Sequence, residues 1–199
     1  TEITNFIGWG QQTTTSSVIL DPGNWSLDNF GAILTATIRN GKTFTWDPRV
    51  SNPLNNRCTV MASAPTKSIS TIVSDRDRHF IHFGTETTVG DTNTQDPMFI
   101  RFSDQENFNV YGPTSTNTAG TFRLDTGNTI VAAVNGKDYN LILTDQAAYT
   151  MQFVGPPFTF SIRQVGTNCG CIGPHAAVYA DGKVFWMGNS GGFFVFDGT

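Results

Sequence analysis

The sequence predicts an all-β chain: a β-propeller-like array of about four antiparallel four-stranded blades, with a two-layer β-sandwich as the competing arrangement. Three observations lead there. Charged residues make up only 14% of 199 positions, against about 25% in an average soluble domain, while Thr, Gly and Phe are abundant. Apolar and polar residues alternate with a period of two along many short runs, and no stretch of ten or more residues carries a 3.6-residue period. Pairs of these runs are joined, again and again, by short turns of related chemistry. The composition also excludes other classes. A disordered chain would lack the 16 Phe, a helical bundle would be rich in Ala, Glu, Lys and Leu, and no apolar run approaches the roughly 20 residues of a membrane-spanning helix.

Taken in order, the first hairpin runs from Ile33 to Ile38, turns at Asn40-Gly41-Lys42 and returns through Thr43 to Trp46. The next spans residues 69–73, turns near Asp75-Arg76-Asp77-Arg78 and returns over 79–83. Met98, Ile100 and Phe102 then share one strand face, with Arg101 on the other. The clearest hairpin joins 129–134 to 139–143 through Asn135-Gly136-Lys137, since Asn-Gly tolerates the positive φ that a tight hairpin turn demands. Tyr149, Met151 and Phe153 alternate with Thr150 and Gln152, and Phe158, Phe160 and Ile162 alternate with Thr159 and Ser161, which places Phe153 between sheets. The last hairpin joins 176–180 to 184–187 through Asp181-Gly182-Lys183.

The turn positions Asn40, Asp77, Asn135 and Asp181 lie 37, 58 and 46 residues apart. These intervals bracket the roughly 40–50 residues of a four-stranded propeller blade. Candidate blades therefore cover 25–66, 67–112, 120–166 and 167–199. The best-formed unit has strands at 130–134, 139–143, 149–153 and 158–162. Residues 1–199 are expected to form one propeller or part of one. The chain opens at Thr1 without Met or the zones of a signal peptide and stops just past a strand-like run, as a fragment of a longer chain would.

Chemistry-bearing residues are sparse. Twelve Lys and Arg against 16 Asp and Glu give a net charge of −4, and no basic run marks a nucleic-acid-binding face. Cys58, Cys169, Cys171 and His175 could supply four soft ligands to a zinc ion. The Cys169-Gly170-Cys171 spacing is not the usual one, however, so small residues packed in a tight strand lead-in are the expected reading. An odd number of cysteines suits free thiols. His79 and His82 lie three apart on a strand and point to opposite faces, and Asp75–Arg78 reads as a solvated turn with local ion pairs. The loop from Asp91 to Asp96 lacks the central Gly and terminal Glu of a calcium-binding loop. Ser190-Gly191-Gly192 reads as a hairpin turn, and neither a nucleophile elbow nor a phosphate-binding loop is present. Trp9, Trp25 and Trp46 could stack on sugars but are expected to fill gaps between blades. No catalytic, cofactor-binding or metal-binding residue is assigned.

Two stretches carry a resemblance. One runs through Thr129-Ile130-Val131-Ala132-Ala133-Val134-Asn135-Gly136, Leu143-Thr144-Asp145 and Tyr149-Thr150-Met151-Gln152-Phe153. The other has Cys171-Ile172-Gly173-Pro174-His175-Ala176-Ala177-Val178, Asp181-Gly182-Lys183-Val184-Phe185-Trp186-Met187 and a closing Phe196-Asp197-Gly198. Both resemble blades of the tail nozzle, or packaged-DNA stabilisation, proteins of short-tailed bacteriophages. Ala64-Pro65-Thr66 leading into 69–73 and His79-Phe80 is similar to an upstream blade of that family. The likeness covers roughly residues 31–198 and is strongest over the last 75. It implies a structural virion component without enzymatic activity or cofactor, assembled with itself in a hexameric ring below the portal and adaptor. That ring would hold packaged double-stranded DNA without reading its sequence and pass it out during ejection; the protein would be assembled in the host cytoplasm and reside in the tail. The alternative reading is a carbohydrate- or receptor-binding β module of a virion or secreted protein, and a propeller glycosidase would need a convergent carboxylate pair that no local motif selects.

Overall fold

The computed structural model describes residues 23–50 and 57–198 of the chain. Among these, fifteen strands form four antiparallel sheets, each a meander in which every strand pairs with its sequence neighbour. The first sheet holds β1 (Trp25–Phe30), β2 (Ile33–Ile38), β3 (Thr43–Trp46) and β4 (Thr59–Val60). The second holds β5 (Ser70–Val73), β6 (Phe80–Phe83), β7 (Phe99–Phe102) and β8 (Gly120–Arg123). The third holds β9 (Ile130–Asn135), β10 (Asn140–Thr144), β11 (Ala147–Gly155) and β12 (Thr159–Thr167). The fourth has three strands, β13 (Ala177–Ala180), β14 (Lys183–Met187) and β15 (Phe193–Phe196), where four-stranded blades are expected throughout.

The sheets stack as a propeller stacks its blades. The first strand of each sheet packs on the first strand of the next, β1 on β5, β5 on β9 and β9 on β13. Between them lie three cores. Phe30, Val73 and Phe80 fill the gap between the first and second sheets. Ile72, Ile81, Phe83, Ile100, Ile130, Ile142 and Met151 fill that between the second and third. Leu141, Leu143, Val184, Trp186 and Phe196 fill the third gap. A thin antiparallel sheet buries both faces only against such neighbours. Central sheets therefore read as near-continuous apolar runs, as in Phe80–Phe83, where all four residues are buried.

Two strands differ from the sequence reading. No strand is expected over Trp25–Phe30, yet it pairs along its whole length with β2, from Trp25↔Ile38 to Phe30↔Ile33. Gly120–Arg123, placed by the sequence at the start of a third blade, instead closes the second sheet by pairing with β7 from Phe99↔Arg123 to Phe102↔Gly120. The intervening residues 103–119 form the polar loop that carries β8 back, and loops of that length lack the turn signals that mark a hairpin.

Turn chemistry holds at one site and fails at another. Asp181 and Gly182 have φ of 49° and 77°, the two left-handed residues of a type I′ hairpin turn. Asn135-Gly136 does not form such a turn. Strand β9 continues through Asn135, neither residue has positive φ, and the reversal is made by 136–139 with the Gly136 amide donating to the Tyr139 carbonyl at 2.7 Å. Gly136 is required for a different reason: a Cβ there would lie 2.7 Å from the Tyr139 ring. That ring is itself held edge-on against Phe196 of the fourth sheet. Gly136→Val is therefore expected to destabilise the protein by about 1–3 kcal/mol through the displaced ring, read as a lowered midpoint in urea. Gly136→Val with Tyr139→Ala should recover part of the loss, and no recovery would mean that the ring is not the cause.

The two end sheets each present an apolar face that none of the other described sheets covers. On the first sheet, Asp28 and Thr37 point to the second, since Asp28 accepts from the Val73 amide and Thr37 from the Thr71 hydroxyl. The alternating residues Trp25, Leu27, Phe44 and Val60 face away, with Leu27↔Ala36↔Phe44↔Val60 in one cross-strand row. On the fourth sheet, Val184 and Trp186 face the third. Val178↔Phe185↔Val195 form the opposite row.

Candidate functional site

Two places gather polar groups in the interior. One is the cavity at the centre of the array, about 160 Å³, where β1, β5, β9 and the Pro174-His175 lead-in to β13 face one another. That volume admits a few water molecules, at about 30 Å³ each in the liquid, and no nucleic-acid strand. Its walls are mixed: Trp25, Leu27, Ile69, Ile72, Ala132 and Ala133 stand beside Asn24, Ser26, Asp28, Arg39, Ser70, Thr71 and His175. Asp28 is the one wall carboxylate, and it serves the fold. Its Oδ2 accepts from the Val73 amide at 2.7 Å and its Oδ1 from the Asn29 amide at 2.8 Å. Burial raises its pKa against the pull of these two amides.

The other place is a polar seam between the first and second sheets, built on His82. Strand β6 alternates, so Ile81 and Phe83 point to the third sheet while Phe80 and His82 point to the first. The His82 Nδ1 lies 2.8 Å from the Ser68 hydroxyl and its Nε2 lies 3.0 Å from the Tyr111 hydroxyl. A neutral ring satisfies both contacts, donating from Nδ1 and accepting at Nε2 the Tyr111 proton. Burial, with the Arg101 charge adding to it, pushes the His82 pKa down to about 3. Arg101 donates to the carbonyls of Thr87 at 2.8 Å, Glu86 at 3.3 Å and Tyr111 at 3.4 Å. Glu86 accepts from the Gly90 amide at 2.7 Å and from the Thr66 amide and hydroxyl. A chain of hydroxyls, Thr71 to Thr37 and Thr37 to Thr43, each at 2.9 Å, completes the seam. Its polar partners lie within the protein, so the seam joins two sheets and offers no open face to a substrate.

His79 makes a third, more suggestive arrangement. Its Nδ1 lies 3.1 Å from Asp77 and its Nε2 3.1 Å from the Thr118 hydroxyl, the acid–imidazole–hydroxyl order of a nucleophile relay. The chemistry stops there. The Thr118 proton goes to Asp104 at 2.8 Å, and the same oxygen accepts from the Gln105 amide at 2.8 Å. Phe102, Phe153 and Phe160 enclose the imidazole, which is wholly buried. No carbonyl could reach the hydroxyl along that path. As the alternation requires, His79 and His82 lie on opposite faces, and Phe153 stands in the seam between the second and third sheets.

The remaining sequence candidates are placed as follows. Cys169 and Cys171 are buried beneath Trp186, whose Nε1 donates to the Cys169 carbonyl at 2.8 Å, and burial raises both thiol pKa values. Cys58 is exposed. Asp91 caps the short 3-10 turn Thr92–Thr94, and Asp96 accepts from the Met98 amide at 2.9 Å and from Arg123 at 2.6 Å, so this loop spends its carboxylates on its own shape. The Asp75–Arg78 turn is corrected on two counts. Its ion pairs are not local, since Arg76 reaches Asp138 at 3.0 Å and Arg78 reaches Glu106 at 2.9 Å. Asp77 is buried rather than solvated, accepting from Ser74 at 2.7 Å. Trp25 fills no gap between described blades: it lies on the outward face of the first sheet against Phe44, 6.0 Å between ring centres. Trp9 falls outside the described residues.

No protein-family model matches the sequence, and no curated protein sequence matches it. Among solved structures, the chain is similar to the crystal structure of the computationally designed Ika4 protein, with a TM-score of 0.51 and 11% sequence identity. The alignment covers 90% of this chain and 94% of that one. At this identity the likeness concerns the course of the backbone alone.

Proposed function

We propose that this chain is a structural block of a bacteriophage virion tail, part of the nozzle ring below the portal and adaptor that retains packaged DNA and conducts it out at ejection. The observation that carries the reading is the pair of outward apolar faces on the first and fourth sheets, which suits a block made to be built against further protein. The resemblance of its hairpins and Gly-Pro lead-in to nozzle-protein blades names the assembly. The reading assigns no catalytic step and no cofactor. Buried Asp, His and Cys side chains hold sheets together in the central seams, as a load-carrying wall requires.

DNA takes its path through the bore formed by several copies, because the central cavity of one chain is too small to admit it. A net charge of −4 suits such a wall. Every phosphate neutralised by a Lys or Arg adds salt-dependent affinity, and a conduit that grips its cargo stalls it. The test is immunogold labelling and cryo-electron microscopy of virions from the phage that encodes the chain. Label and four-sheet density in the tail, directly below the adaptor, are the expected result. Label confined to fibre tips, together with selective binding on a glycan array, would replace this reading with the carbohydrate-binding one.

A further inference from the structure

Both end faces of the array carry exposed apolar side chains. In the stack every sheet turns one face to its predecessor and the opposite face to its successor, and first strand meets first strand at each step. Among the described residues no sheet follows the fourth and none precedes the first. Yet β13 makes no packing on β1 comparable to that between the other first strands. Leu27 on β1 remains 65% exposed and Val178 on β13 remains 58% exposed. Beside them, Phe185 and Val195 on the fourth sheet and Trp25 and Val60 on the first are also exposed.

We propose that a second copy of this chain covers both faces: the fourth sheet of each copy packs on the first sheet of the other, and two four-sheet arrays close into one eight-sheet ring. Three features select this occupant. The missing contacts are of the kind the chain already makes three times, so the new interface continues an existing one. A head-to-tail contact of this kind either closes or polymerises. Two copies give eight sheets, within the range of about 4–8 blades in closed propellers, whereas three copies give twelve. One occupant also accounts for both ends, which a short segment lying on the first sheet would not. The inference stands on packing alone, independent of the tail assignment, and such pairs can stand alone or be arranged in a larger ring.

The experiment is sedimentation equilibrium on the 199-residue chain, with Val178→Glu and Leu27→Lys as single variants. Both positions are more than half exposed, so each variant should retain the wild-type circular dichroism spectrum and melt as a monomer. The wild type is expected to be a dimer. Either substitution alone buries an unpaired charge at both interfaces of the pair and should weaken association by about 100-fold or more. Mixing the two variants should restore a one-to-one dimer, because one interface is then wild type and the other sets Glu against Lys. A monomeric wild type overturns the proposal, including the case in which dimers form only after residues 1–22 are deleted. So does a dimer that survives either single variant, since a symmetric contact of like faces would lose its dimer through only one of them.

Discussion

Gly170→Ala is expected to cost about 3–5 kcal/mol, enough to unfold a marginally stable domain at physiological temperature. A Cβ at this position would stand 1.9 Å from the Asp145 carbonyl oxygen and 2.6 Å from the Gln146 nitrogen. These are main-chain atoms of the β10–β11 turn, not the end of a flexible side chain, so the clash can be relieved only by moving backbone. That backbone is pinned on both sides. The Cys169 amide donates to the Gln146 carbonyl at 3.1 Å, the Asn189 amide to the Gly170 carbonyl at 3.1 Å, and the Asn189 side chain to the Asp145 carbonyl at 2.7 Å. The approach therefore welds the third sheet to the fourth, and overpacking there displaces both. Urea denaturation of the variant should show a lowered midpoint and the wild-type slope for whatever fraction still folds. Cys169→Ser and Cys171→Ser, which leave the close approach intact, should be milder. Equal midpoints for Gly170→Ala and the wild type would show that the two backbones do not meet.

Acidification gives the second large effect. His82 is held neutral, with a pKa of about 3 against an ordinary 6.5. Between those values the unfolded chain binds a proton that the folded chain refuses. Stability therefore rises with pH across this window, is complete above about 6.5 and drains away as the pH falls toward 3. The slope is about 1.4 kcal/mol per pH unit at its steepest, so some 3 kcal/mol is lost by pH 4. Asp104 and Asp145, whose pKa values are lowered, add a further loss below pH 4. Asp28, whose pKa is raised, acts in the opposite sense. His82→Gln separates these contributions. The variant should be less stable at pH 7 but nearly flat between pH 6.5 and 4.5, and parallel curves for variant and wild type would remove His82 as the cause.

Strands and their pairing were legible because alternation in this chain is seldom broken. The third sheet follows its expected strands to within a few residues, since β10 and β11 carry clean apolar faces and short polar turns. The three-strand fourth sheet and the long return to β8 were not legible, because strand count and sheet membership depend on which run pairs with which, and no local pattern records that. Asn135-Gly136 misled for a related reason: Tyr139 needs space that only tertiary packing reveals. The seam around His82 was missed altogether. Its signal was present in Thr35, Thr37, Thr71 and His82, polar residues at positions where alternation calls for buried ones. Only the folded chain brings Ser68, Thr85, Glu86, Arg101 and Tyr111 to meet them. Cys169-Gly170-Cys171 likewise has its explanation in space, two small side chains buried on either side of a point where backbones touch.

The three seams differ in kind, and that sets how the molecule comes apart. Second, third and fourth sheets adhere through broad hydrocarbon surfaces, which tolerate small slips and lose strength only in proportion to the area parted. The leading sheet adds to its smaller cluster of Phe30, Val73 and Phe80 a row of directional bonds, from Thr71 to Thr37 and from the Val73 amide to Asp28, satisfied in one alignment and left unmet in any other. Such a joint behaves like a latch: rigid while every bond is made, then released as a unit once solvent enters. Amide protons of β1–β3 should accordingly exchange as one cooperative group and earlier than those of β6 or β10, making the leading sheet the first foldon to leave the rest.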